Sequence, residues 1–188
     1  RENVRTAGKL TGECDGAEET VSWMDDQLET IEQTLNGTDR PTVYYAMGDG
    51  YTAGSGTFIH EALTTAGMEN IAAENGIESY GQINPETVVN ESPDWIVYPN
   101  DRETVPIHES VKATPAYQND NVLAVNANYI SQPAPRVVYA IADIVEAAHP
   151  EAYAQASGQL DTAPESGNTS DDDQANDSVP GFGVPVAI

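Results

Sequence analysis

The sequence predicts an α/β fold, a small and mostly parallel sheet flanked by helices and preceded by a long amphipathic helix. Three observations carry this reading. Apolar residues recur at helical spacing before the first strand. Three short β-branched or aromatic runs, Thr42–Met47, Trp95–Tyr98 and Val122–Val125, read as buried strands. Helical patterns stand between and after them, which is the alternation of a parallel layer.

The opening segment, Arg1 to Gly12, reads as a short separate helix ending at Gly8 or Gly12. From Ala17 to Leu35, Val21, Met24, Leu28, Ile31 and Leu35 follow one another at spacings of 3, 4, 3 and 4 and share one stripe, and Asn36-Gly37 stops the helix. Its outer face, with Glu18, Glu19, Asp25, Asp26, Glu29 and Glu32, reads as solvated surface. After the first strand, a glycine-rich loop from Gly48 to Gly56 leads into a helix with Phe58, Ile59, Ala62, Leu63 and Ala66 on one face. Asn84-Pro85-Glu86 opens a short helix, and Ser92-Pro93-Asp94 turns the chain into the second strand. The last helix starts at Pro135, buries Val137, Val138, Ile141, Ile144, Val145 and Ala148, and is interrupted at Pro150. From Ser157 the composition turns to Gly, Ser, Thr, Asn, Asp and Pro, so residues 157–179 read as a disordered acidic linker.

Charge sets the first functional limits. The 188 residues hold 31 Asp and Glu against 7 Lys and Arg, a formal charge of −24. No basic face exists for tracking phosphates, so nucleic acid is excluded as a partner, and anionic membrane surfaces would repel the chain. Such an imbalance points to a high-salt habitat, where screening removes most self-repulsion, with an unusually acidic mesophilic protein as the alternative. The single cysteine, Cys14, has no disulfide partner within the chain and reads as a small buried or half-buried residue. No stretch reaches the ~18 apolar residues of a membrane span. The chain reads as part of something longer.

Motifs for chemistry are few. Gly48-x-Gly50 after a strand invites a dinucleotide-binding, oxidoreductase reading, although the loop is long for it. His60-Glu61 lacks the second histidine of a zinc protease helix, because Thr64 stands there. No metal set has workable spacing, and no nucleophile elbow is present, so no catalytic residue is assigned. Ligands of parallel sheets lie beyond the carboxyl ends of the strands, where Tyr51, Asp101, Asn128 and Tyr129 fall. Tyr51, Tyr80 and Tyr129 are aromatic rings on loops, suited to stacking on a flat or bulky ligand or to covering a sheet edge. Asn-x-Ser/Thr acceptors occur at Asn36, Asn90, Asn168 and Asn176 and are compatible with export.

Five ordered segments carry a family resemblance: Thr42 to Gly48, Ala53 to Ala72, Tyr80 to Glu86, Ser92 to Val97, and Pro133 to Val137. Together they resemble the C-terminal lobe of the vitamin B12 and iron-siderophore substrate-binding proteins of ABC importers, and Glu2 to Gly12 with the long helix resembles that family's rigid inter-lobe helix. The resemblance implies one lobe of a two-lobed, non-enzymatic binding protein. Residues 1–40 would be the inter-lobe helix region and 41–156 the ligand-binding lobe. It implies a transported cobalamin or ferric chelate as ligand, no resident cofactor or metal, and an ABC permease with its ATPase as partners. By this resemblance Tyr51, Tyr80, Asn128 and Tyr129 contact the ligand, and Glu86 docks on the permease. Glu86 is also a first-turn carboxylate of the kind that a helix dipole favours. Residues 180–188, beginning Pro180-Gly181-Phe182, resemble the PGF-type sorting signal of exported archaeal proteins, which implies an extracellular, membrane-tethered parent.

Overall fold

A computed structural model describes residues 1–160. Two helices come first, α1 (Glu2–Thr11) and α2 (Cys14–Leu35), joined at Gly12, whose φ of 81° ends α1 in the left-handed cap that glycine favours. They lie against each other so closely that a Cβ on Gly8 would sit 2.5 Å from that of Ala17. Arg5 adds a two-pronged contact to Glu18, its Nε donating to the two carboxylate oxygens at 2.9 and 3.0 Å, and Arg1 pairs with Asp25. The second helix begins at Cys14, three residues before the expected Ala17. Cys14, expected to be buried or half-buried, is exposed: it is in phase with Ala17 and Val21 but is the first residue of the helix. That stripe is Ala17, Val21, Met24 and Ile31 with Thr20, Thr30 and Thr34, whose hydroxyls donate to carbonyls one turn back and so enter the core without an unmet donor.

The remaining elements alternate. They are β1 (Thr42–Tyr45), β2 (Tyr51–Ala53), α3 (Phe58–Thr65), β3 (Glu69–Asn70), α4 (Ile71–Glu74), β4 (Tyr80–Gln82), α5 (Pro85–Glu91) and β5 (Trp95–Pro99). A 3₁₀ turn at Glu109–Ala113, α6 (Pro115–Gln118), β6 (Val122–Val125), α7 (Ala127–Ile130), α8 (Val137–Ala148) and α9 (Pro150–Leu160) follow. Strands β3, β1, β5 and β6 form one sheet in that order, and each neighbouring pair is parallel. Both faces of the central strands are covered, which is why β1 and β5 read as continuous apolar runs. Val43, Tyr45, Val97 and Val125 meet α2, α3 and α8, while Tyr44 and Ile96 meet the side of α4, α5 and the 3₁₀ turn through Ile71, Val88 and Val111. The alternation along β1 is the period of two that a pleated strand imposes.

At the amino end of the sheet, Asp94 holds β5 to β1. Its Oδ2 accepts from Thr42 N–H and Thr42 Oγ1, both at 2.8 Å, and its own N–H donates back to Thr42 Oγ1 at 3.0 Å.

Three differences from the sequence reading have local causes. The Gly48–Gly56 loop contains strand β2, which pairs antiparallel with β4 as a separate two-stranded ribbon. The last long helix starts at Val137 because the Ala134–Arg136 stretch closes as a tight turn, with Val137 N–H bonded to Ala134 O. After the break at Pro150, α9 runs to Leu160, four residues into the stretch read as linker, and is held by Ala156 in the core and Tyr153 against it. The rest of that linker and residues 180–188 lie outside the described residues.

Candidate functional site

The ribbon is built by close backbone approach. Gly54 N–H donates to Ser79 O and Ser55 N–H to Ile77 O, each at 2.8 Å, and a Cβ on Gly54 would fall 1.8 Å from Ile77 O. Only glycine admits that contact. At the other end, the Gly48-Asp49-Gly50 turn has φ of 98°, 51° and 75°, and it is closed by Tyr51 N–H on Gly48 O at 2.8 Å. Gln82 Nε2 bonds Asp49 O at 3.0 Å and Ile83 N–H bonds Gly50 O, which ties the turn to the far strand.

In the resulting register Tyr51 faces Gln82 and Ala53 faces Tyr80. Tyr51 and Tyr80 are therefore diagonal neighbours on one face of the ribbon. They are 48% and 53% exposed, and Leu10 is the one other large apolar side chain left exposed among the described residues. Their exposure is not a lack of core, since the other face of the ribbon buries Thr52 completely. Two solvated rings on one ribbon face at the carboxyl end of a parallel sheet offer an apolar, stackable platform.

Tyr45 lies beneath that platform. It is buried at the end of β1, and its phenol is pushed up chiefly by burial, with Tyr80 and Asp101 adding to the effect. It thus remains a neutral hydroxyl within electrostatic reach of both. Asp101 follows β5, and its neighbour Arg102 lies loosely beside it, Nε to Oδ1 at 4.0 Å. The Arg102 guanidinium instead covers the Gly48 α-carbon, 3.2 to 3.4 Å from where a Cβ would stand. Sequence reading placed Tyr45 in the core and did not single out Arg102. The signal for both was position, at or just past a strand's carboxyl end. A groove of about 920 Å³ runs beside the platform between the Gly48–Gly50 turn, Asn84-Pro85, Arg102 and His108, and neither Tyr51 nor Tyr80 lines it.

Asn128 and Tyr129 stand elsewhere at the same end, on α7 beyond edge strand β6, with β5 between β6 and β1. Asn100 secures them: its N–H bonds Val125 O at 2.8 Å and its Oδ1 accepts from Ala127 N–H at 3.1 Å. Asn126 caps α7 by accepting from Asn128 N–H at 2.9 Å, leaving the Asn128 side chain exposed. The Tyr129 ring is half-buried in a cluster of tilted rings, its centroid 5.6 Å from that of Tyr139, which is 5.1 Å from that of Trp23 of α2. Tyr129 therefore packs α7 onto the helices, and Asn128 is the outward member of the pair.

Glu86 is exposed in the first turn of α5, where Asn84 Oδ1 accepts its N–H at 2.9 Å and Pro85 takes the first helical position. The geometry of a dinucleotide loop is not present at Gly48–Gly56. Strand β2 fills the interval, Gly54 is spent on Ile77, and α3 starts at Phe58 with Thr57 Oγ1 already accepting from His60 N–H. His60 Nδ1 accepts from the Asn70 amide at 3.2 Å; that same amide group donates to Ala53 O and accepts from Ala72 N–H, a knot that is structural. Among the described residues no group of three or more His, Cys, Asp or Glu is placed to hold a metal, and no helix is long and apolar enough to cross a membrane.

Comparison with known proteins bears on this surface. A family model described as periplasmic binding protein matches residues 1–130. A cobalamin-binding protein of Halobacterium salinarum, found in two strains, is 42% identical over 159 residues, covering 79% of this chain and 43% of the relative. The chain thus spans less than half the length of that relative. Among solved structures, the periplasmic heme-binding protein RhuT from Roseiflexus sp. RS-1 superposes with a TM-score of 0.68 at 21% identity, over 80% of this chain and 62% of its own. The molybdate periplasmic binding protein MolA of a Haemophilus influenzae ABC transporter gives 0.72 at 18% identity, over 82% and 50%. At those identities the two structures speak to fold alone.

Proposed function

Because the chain belongs to the periplasmic binding protein family, a family of substrate-binding proteins and not of enzymes, we propose that it is the ligand-gripping lobe of an importer's substrate-binding component. In this reading the parent protein captures cobalamin outside the cell and hands it to an ABC permease driven by its ATPase. A ferric-siderophore-like chelate is the other cargo of the same bulk and ring content. The observation that carries the reading is the exposed Tyr51–Tyr80 pair at the carboxyl end of the parallel sheet. The 42% identical cobalamin-binding relative favours cobalamin over the chelate.

The mechanism is capture by surface complementarity. Tyr51 and Tyr80 supply flat apolar area with hydroxyls at the rim, and Asn128 offers an exposed amide for a polar edge of the ligand. The ribbon that holds the rings is pinned by backbone contacts at both ends, so little ordering cost attaches to binding. Glu86, exposed on a helix next to the groove, meets an arginine of the permease. In strong brine such a pair is screened unless it is partly desolvated, so buried contacts carry the specificity. The extracellular location and the membrane tether of the parent belong to this proposal.

Equilibrium titration of the full-length protein with cyanocobalamin, ferric siderophores and NAD tests it. Saturable binding of cobalamin or a ferric chelate, with none of NAD, is the expected result; tight NAD binding with neither of the others would refute it.

A further inference from the structure

Two Asn-x-Ser/Thr acceptors lie within the described residues, and the fold treats them differently. At Asn36-Gly37-Thr38 the chain leaves α2 in a tight turn, with Asn36 at φ −70°, ψ 108° and Gly37 at φ 82°, closed by Thr38 N–H on Leu35 O at 3.3 Å. These angles are those of a type II turn, which needs glycine third. Asn36 is exposed, and the space around the turn is open: a Cβ on Gly37 would meet nothing within 4 Å. Asn90 is exposed too, but it sits inside α5, one residue before its end, with Ser92 at the left-handed cap; the Thr38 and Ser92 hydroxyls both donate to a carbonyl three residues back, at 3.1 and 3.2 Å. Asn90 is thus held in helical backbone, whereas Asn36 stands in an exposed turn.

Position separates the two further. Asn36 precedes the amino end of β1, whereas Tyr51 and Tyr80 stand at the carboxyl end of the sheet. It borders an open groove of about 910 Å³ between the ends of α2 and α3, walled by Glu29, Glu32 and Arg40 and by the apolar Leu28, Ile31 and Leu35. Asn90 is four residues from Glu86 on the same short helix, hence on the same face. A glycan there would stand over the proposed docking carboxylate.

We propose that Asn36 is an N-glycan acceptor and that Asn90 is left bare. The proposal rests on the reading that the parent protein works outside the cell. The donor is a lipid-phosphate-linked oligosaccharide. The Asn36 Nδ2 forms a bond to the anomeric carbon of the glycan, the bond from that carbon to the lipid phosphate oxygen breaks, the lipid phosphate leaves, and the amide proton goes to a base of the transferase. The sugar then lies over a groove of mixed polar and apolar lining and clear of the ligand face.

Intact-glycopeptide mass spectrometry of the full-length protein, taken separately from the surface and interior fractions of the cells that make it, is the test. The Asn36 peptide of the surface protein carries glycan mass, the Asn90 peptide carries none, and Asn36→Gln abolishes the first signal while leaving ligand affinity unchanged. A bare Asn36 peptide in surface protein, or a glycan on Asn90, overturns this proposal and leaves the transport reading standing. Protein confined to the interior fraction overturns the extracellular reading, and this proposal with it.

Discussion

Gly54 rests directly on the main chain of Ile77, so that the smallest possible side chain on Gly54 would penetrate the Ile77 carbonyl oxygen, 1.8 Å away. That single contact sets the spacing of the ribbon on which both exposed tyrosines ride. Gly54→Ala must push β2 and β4 apart, and overpacking against backbone costs about 3 kcal/mol or more where nothing flexible can give way. The expected outcome is a lower urea midpoint together with weakened ligand binding. An unchanged midpoint would show that the ribbon is not held by this approach.

A second consequence concerns the amino end of the sheet. Asp94 Oδ2 accepts twice from Thr42, so Asp94→Ala strands Thr42 N–H and removes the side-chain part of the β1–β5 clasp, while the Asp94 N–H bonds to Thr42 O and Oγ1 and the strand ladder remain. The site is exposed, so water recovers part of the loss, and a cost of about 1–2 kcal/mol is expected. Because the clasp lies at the far end of the strands from the tyrosines, ligand affinity measured well below the melting temperature should not move.

Alkaline stability follows from the two buried phenols of β1. Burial pushes Tyr44 up to about 12 and raises Tyr45 as well. Both folded values stand above the unfolded one, near ~10, so the folded state holds the protons more tightly. The stability they contribute is complete below pH ~10 and is lost as pH climbs from there through the folded values; for Tyr44 the loss amounts to about 3 kcal/mol by pH ~12. Urea midpoints of the native protein should fall over that window, and Tyr44→Phe should flatten the fall. A midpoint equally steep in both proteins would contradict the assignment.

Docking and capture are separable if Glu86 and the tyrosines do different work. Glu86→Ala should leave cobalamin affinity within about twofold of the parent and reduce uptake by cells, since a charge-pair partner at an interface typically contributes ~1 kcal/mol or more. Lost affinity would place Glu86 in the ligand site instead.

The legibility of this chain followed burial. Strands β1 and β5 announced themselves because both sheet faces are covered, which makes Val43, Tyr44 and Tyr45 or Ile96 and Val97 an unbroken apolar run, and the less buried edge strand β6 showed as the apolar run Val122–Val125. The two- and three-residue strands β2, β3 and β4 did not, because they are specified by partners far along the chain; Tyr51 has no local reason to be a strand until Gln82 pairs with it. Helix α2 was legible from its apolar spacing but not its full buried face, since threonine enters the core only by returning its hydroxyl to the preceding turn. Tyr51 and Asn128 were singled out by position after a strand, Tyr80 as an aromatic ring on a loop, and Glu86 at a helix start and by the family resemblance; their exposure is legible only in the structure. What the sequence could not express was that Tyr51 and Tyr80 are diagonal neighbours, that Tyr129 packs at a tilt against Tyr139, and that Arg102 covers Gly48.

The central claim is that the Tyr51–Tyr80 platform grips the cargo. Its most direct test is the equilibrium affinity of the full-length protein for cyanocobalamin, compared with Tyr51→Ala, Tyr80→Ala and the double variant, at constant high salt. Each lost ring should weaken binding by roughly five- to thirtyfold, the value of about 1–2 kcal/mol of stacking and apolar contact, with the melting temperature unchanged because both rings are exposed. Affinity equal to that of the unaltered protein in the double variant would contradict the account.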